Sequence, residues 1–154
     1  MSRDNTQKEN HLKTFNVLYV KPDHTRNILG WSLDSARAIS PETVALMEED
    51  VLNTHTPLVQ VEAEDINDVF GRMQGEVWSS GPNQEWAQGL IKKLGLSHTS
   101  MSMGDILIDD ESGQAYYCDT VGYVELDIPC DNYRNLFETD YNVHPESGST
   151  WEVA

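Results

Sequence analysis

An imidazole and two carboxylates, His98, Asp105 and Asp119, fall in one short stretch of this chain and are the residue types best suited to chemistry. Together they would make an acid-base pair or a ligand set for a divalent ion. Each also has a plainer use. Asp105 follows Gly104 at the start of an apolar run, where a carboxylate caps a turn, and Asp119 falls where the next run bends, so turn chemistry is the stronger reading. Ser100 and Ser102 lack the flanking glycines of a nucleophile elbow and suit hydroxyl capping of nearby backbone. Cys118 and Cys130 form no CxxC pair and have no clustered histidines, so neither a zinc site nor a disulfide framework is expected. His11, His24, His55 and His144 are scattered among polar residues and are expected at the surface. Neither GxGxxG nor GxxxxGK[ST] occurs, so no phosphate cradle and no cofactor are expected.

These residues belong to the segment Ser97–Leu126, SHTSMSMGDILIDDESGQAYYCDTVGYVEL. Ile106-Leu107-Ile108 is a strand signal, Asp109-Asp110-Glu111-Ser112-Gly113 a turn, and Gln114 to Cys118 a second strand. The chain bends at Gly122 and resumes through Tyr123-Val124-Glu125-Leu126, giving an antiparallel hairpin with a third arm. Tyr116, Tyr117 and Tyr123 supply aromatic surface, at least one side of which suits core packing.

The residues Ser100, Met101, Ser102, Gly104, Asp105 and Ile106, followed by Tyr116, Tyr117, Asp119, Gly122, Tyr123 and Glu125, carry a resemblance. They match the pattern S-[ML]-S-x-[GS]-D-[VI] and then Y-Y-x-D-S-x-G-F-x-E, with Thr120 in place of Ser and Tyr123 in place of Phe. This resembles the YodL-like domain and related small phage and plasmid proteins. The match covers about a fifth of the chain, with a looser one reaching back from Trp78 to Val59. The resemblance implies a mobile-genetic-element context and brings no established catalytic residue.

The chain has 154 residues, enough for one domain with a core that needs neither staple nor metal. Ten basic and 26 acidic residues give a net charge of −16, which repels nucleic acid and anionic lipid alike. Direct nucleic-acid binding and membrane association are therefore not expected. No charged-then-apolar leader opens the sequence, and the expected location is the cytoplasm of a host cell. The acidity is uneven: residues 41–80 carry nine acidic side chains and one basic, and residues 105–154 carry twelve and one.

Residues 1–13 read as a flexible N-terminal tail, 14–140 as a single α+β domain and 141–154 as a loose C-terminal tail. Phe15 to Val20 is the first strand, and a weak second one is expected around Ile28-Leu29 and Trp31. Ser40-Pro41-Glu42 opens a helix with Val44, Met47 and Val51 on its buried stripe, ending near Asn53. Leu58 to Glu62 is a strand. Glu64 or Asp65 caps a helix carrying Ile66, Val69, Phe70 and Met73, closed by Gly75. Ser79 to Asn83 is a loop. Trp86, Leu90, Ile91 and Leu94 mark a third helix with Gly95 at its end, and a short helix is expected at Asn132 to Glu138. The expected fold is a small, mostly antiparallel sheet with about three helices packed on one face, a β-barrel with peripheral helices being the alternative.

Charge leaves two classes of function. One is a non-catalytic mobile-element accessory protein that binds a basic protein surface, such as a host nucleic-acid-binding or defence protein, as an acidic anti-defence inhibitor whose carboxylates mimic DNA phosphates. Its candidate surface is Glu48, Glu49, Asp50, Glu64, Asp65, Asp68, Asp109, Asp110 and Glu111, expected on one continuous face. The alternatives are a small enzyme or metal-binding protein centred on His98, Asp105 and Asp119, and a halophile-type acidic domain of structural role.

Overall fold

The computed structural model describes residues 12–74, 78, 84–120 and 122–128. The expected closing glycine Gly75, the 79–83 loop, the helix at 132–138, Cys130, His11, His144 and the C-terminal tail lie outside the described residues.

Five strands, β1 (Lys13–Val20), β2 (His55–Ala63), β3 (Ile106–Asp109), β4 (Ala115–Cys118) and β5 (Tyr123–Leu126), form one sheet in the order β2-β1-β3-β4-β5. Each neighbouring pair is antiparallel. The first strand of the chain is thus an interior strand, paired on both edges. Lys13, assigned by sequence to the tail, already pairs with Ala63 in β1.

From Phe15 onward β1 is buried at every position, because both faces of the sheet are covered. Side chains alternate across a strand, so Phe15, Val17 and Tyr19 join one core and Leu18 and Val20 the other. Three helices, α1 (Thr25–Ile28), α2 (Leu33–Ile39) and α3 (Pro41–Glu49), bury Ile28, Leu33, Ala36, Val44 and Met47 against Leu18, Val20, Ile106, Ile108 and Tyr117. Two more, α4 (Ile66–Arg72) and α5 (Gln84–Lys93), belong to the opposite layer, with Val69, Ala87, Leu90 and Ile91 packed among Phe15, Val17, Tyr19, Val59, Val61 and Leu107. The larger of these side chains, such as Ile28, Val44, Met47 and Val69, each contribute about 1.5–3 kcal/mol when fully buried.

The class is therefore α+β around a small antiparallel sheet, as expected, but the helices outnumber three and cover both faces rather than one. The segment expected to hold a strand at Ile28-Leu29 is instead the end of α1. Its partner positions along β1 are already taken by β2 and β3, which leaves no sheet edge there to join. The Ser40-Pro41 start of α3 is as read, but that helix ends at Glu49, and a separate 3-10 turn, Val51–Asn53, leads into β2.

Candidate functional site

The two ends of the sheet differ sharply. At one end, where Val20 meets His55, buried Tyr19, His55, Asp105 and Cys118 come together. Helix α5 stops at a Schellman turn, in which the Leu96 amide donates to Ile91 O and the Gly95 amide to Lys92 O, with Gly95 at φ +71°. That turn brings His98 onto the ring of Tyr19, with centroids 4.4 Å apart and planes 13° from parallel. The Tyr19 hydroxyl donates to Thr99 O at 2.7 Å, and the Trp78 indole donates to the same oxygen at 2.9 Å.

Asp105 is fully buried, and its carboxylate is saturated. It accepts from the Val20 amide at 2.9 Å, from the Ser102 amide at 2.8 Å and from His98 Nε2 at 2.9 and 3.1 Å. Burial holds its pKa above the usual carboxylate value, against the opposing pull of His98 and the two amides. Gly104 makes this possible: its φ of +103° suits glycine, and a Cβ there would lie 2.7 Å from Ile28 O. Beside it, His55 is completely buried. Its Nε2 lies 2.8 Å from Gly104 O and its Nδ1 2.8 Å from the Thr54 hydroxyl. This corrects the expectation of a surface histidine: Thr54 and Thr56 flank it with polarity, but the Thr54 hydroxyl turns inward to the ring.

Asp119 does not join this group. Its carboxylate accepts from the Leu33 amide at 3.2 Å and from the Thr120 amide at 2.6 Å, tying the β4–β5 bend to the first residue of α2. His98 lies in the α4–α5 layer with Tyr19, so the pair His98–Asp105 forms and the triad with Asp119 does not. Among the described residues no group of three or more His, Cys, Asp or Glu is placed to hold a metal ion. Ser102 serves the same turn, its hydroxyl donating to Ser100 O at 3.1 Å. Cys118 is buried, and burial pushes its thiol up to about 12, far from a reactive thiolate. Tyr123 is partly buried in the α4–α5 core, and Asp119 N donates to Gly122 O at 2.9 Å to close the bend.

At the other end, where Lys13 meets Ala63, the acidic candidates divide by use. Asp109 is buried rather than exposed: it pairs with Lys13 at 3.0 Å and accepts from the Glu111 and Ser112 amides. Asp65 caps α4 by accepting from the Asp68 amide at 2.9 Å, and the Asp68 carboxylate accepts in turn from the Glu64 amide at 2.9 Å. Asp68 also holds Arg72 at 2.7 Å, and Arg72 donates to Glu62 O. Asp110 binds the Asn16 amide group at 3.1 Å. Glu64, Asp65 and Glu111 are exposed, and an open cleft of about 340 Å3 is lined by Leu12, Lys13, Thr14, Asp110 and Glu111.

The remaining candidates lie elsewhere. Glu48 and Glu49 are exposed at the end of α3, Glu48 pairs with Arg37 at 3.1 Å, and Asp50 caps the 3-10 turn through the Leu52 amide. That turn leads into His55, at the far end of β2 from Ala63, a distance of roughly 26 Å at the strand rise per residue. The nine carboxylates therefore form two groups at opposite ends of the sheet, not one continuous face.

No helix among the described residues is long and apolar enough to cross a membrane. Compared with known protein families, curated proteins and solved structures, the chain matches none.

Proposed function

We propose that this protein is a non-catalytic accessory protein that acts by binding a basic surface on another protein through the Lys13 end of its sheet. The observation that carries the reading is the gathering there of Glu64, Asp65, Asp68, Asp109, Asp110 and Glu111, on the adjacent ends of β2, β1 and β3. Lys13 and Arg72 offset part of that charge and are themselves held by Asp109 and Asp68. Three adjacent strands span roughly 10 Å, over which duplex DNA presents about six negative charges. With Lys13 and Arg72 subtracted, the six carboxylates leave four net negative charges on this short footprint. That suits competition for a cluster of lysines or arginines that would otherwise grip phosphate.

The resemblance of the Ser100–Glu125 pattern to YodL-like and other phage and plasmid proteins supports a mobile-element setting, in which the basic partner is a host nucleic-acid-binding or defence protein and the site of action is the host cytoplasm. The test is capture of partners from a host lysate by the full chain at low and high salt. Exposed charges are screened beyond about 8 Å at physiological ionic strength, so partners should be lost as salt rises. The reading also requires that joint reversal of Glu64, Asp65 and Glu111 to lysine abolish capture in a folded protein. Undiminished capture by that variant refutes it.

A further inference from the structure

We propose that the His55 end of the sheet is an acid-released latch, in which protonation of the buried His55 ring frees the 102–105 turn from the adjoining ends of β1 and β2. A backbone carbonyl can only accept, so His55 Nε2 carries the proton toward Gly104 O and Nδ1 is left to accept from the Thr54 hydroxyl. Both nitrogens are thus satisfied in the neutral ring by uncharged partners. A second proton would place a cation in a site with no solvent contact.

The charged neighbours oppose it. Lys21 follows β1, His24 closes the next turn and His98 reaches in from beyond α5, and all three repel a charge on His55. Asp105 is the adjoining carboxylate, and its oxygens are already engaged by His98 and two backbone amides. Tyr19 and Cys118, which lie beside Asp105, are held uncharged by burial. Burial first, and then the neighbouring cations, bring His55 down to about 4, with the Gly104 bond pulling the other way.

The unfolded chain binds this proton near pH 6.5 while the folded one resists until about 4, so the His55 contribution is complete above 6.5 and is lost as pH falls between those values. Asp105 has the opposite sign: its raised value makes acidification favourable in a window above 3.8. Comparison with His55→Gln, which keeps an N–H for Gly104 O but cannot titrate, removes the Asp105 contribution. What the latch holds is specific. The Lys21 amide donates to Thr54 O, the Val20 amide to Asp105, and the Gly30 amide to Met103 O, so β1, the turn before β2, α1 and the 102–105 turn meet at this point.

The experiment is urea unfolding of the full chain from pH 7.5 to 4.5, for the parent and His55→Gln, with amide hydrogen exchange of the parent. The parent's folding constant should fall about tenfold for each pH unit below 6.5 relative to the variant, roughly 100-fold at pH 4.5. Protection at Val20 and Lys21 should drop before protection at Asp110, whose amide bonds Thr14 O at the other end. Parallel pH curves for the two proteins, or simultaneous loss of protection at both ends, overturns the latch. If His55→Gln does not fold, the His55 ring resonance of the parent decides: a midpoint near 4 supports the proposal and one between 6 and 7 overturns it.

Discussion

Asp105 and Asp109 stand at the two ends of β3, one just before it and one closing it, and both are buried. Their surroundings drive them in opposite directions. Asp105 is sealed from solvent with a histidine partner, and burial raises its pKa. For Asp109 the penalty of burial is outweighed by the Lys13 ammonium and the Glu111 and Ser112 amides, and its pKa falls. Acid therefore neutralises Asp105 before Asp109; protonation of Asp105 adds stability that opposes the loss from His55, while stability from Asp109 is held above about 3.8 and lost below it. Depth in the protein and the hydration of the partner decide the outcome. One end is a closed polar joint; the other is an open rim with surplus charge.

The most direct way to break this contrast is Asp105→Ala. It strands the Val20 and Ser102 amides and His98 at once, and a loss of about 3–5 kcal/mol in urea unfolding at pH 7 is expected. A loss under about 1 kcal/mol would mean that the joint is not closed. Gly104→Ala should cost about 2–3 kcal/mol by the same measurement, since the new methyl must move Ile28 O and hold an unfavourable φ. At the rim the effects shrink. Asp65→Ala removes the cap of α4 and should lower stability by about 1 kcal/mol. Smallest of all, Glu111→Lys should change the free energy of unfolding by less than about 0.5 kcal/mol, because its side chain is exposed. A larger shift would show that the rim is as interlocked as the joint.

Much of this was legible in the chain. The hairpin, β1, β2 and the three longer helices follow from apolar runs, turn residues and caps, and the turn role of Asp105 and Asp119 follows from their positions beside glycine and at a bend. The two-sided sheet was also written there, in the unbroken burial of Val17-Leu18-Tyr19-Val20 and Ile106-Leu107-Ile108. Continuous apolar strands need cover on both faces. Helix α1 escaped because it is a single turn, and α2, as long as α4, escaped because it buries only Leu33 and Ala36 and leaves Ile39 exposed, which is too little for a periodic stripe. His55 and Asp109 escaped because their burial depends on partners far along the chain, Gly104 and Lys13, which local pattern does not reveal.

The order β2-β1-β3 also sets a schedule for synthesis on the ribosome. β1 can pair with β2 once Ala63 has emerged, but its other edge waits for Ile106, 43 residues later. At about 5–20 residues per second this leaves the edge unpaired for roughly 2–9 s. For that interval a strand carrying Phe15, Val17, Leu18, Tyr19 and Val20 offers its open hydrogen-bonding groups to any other nascent chain nearby. The yield of folded protein should thus depend on translation rate across residues 64–105, a span that carries the partners for only one of the two sheet faces.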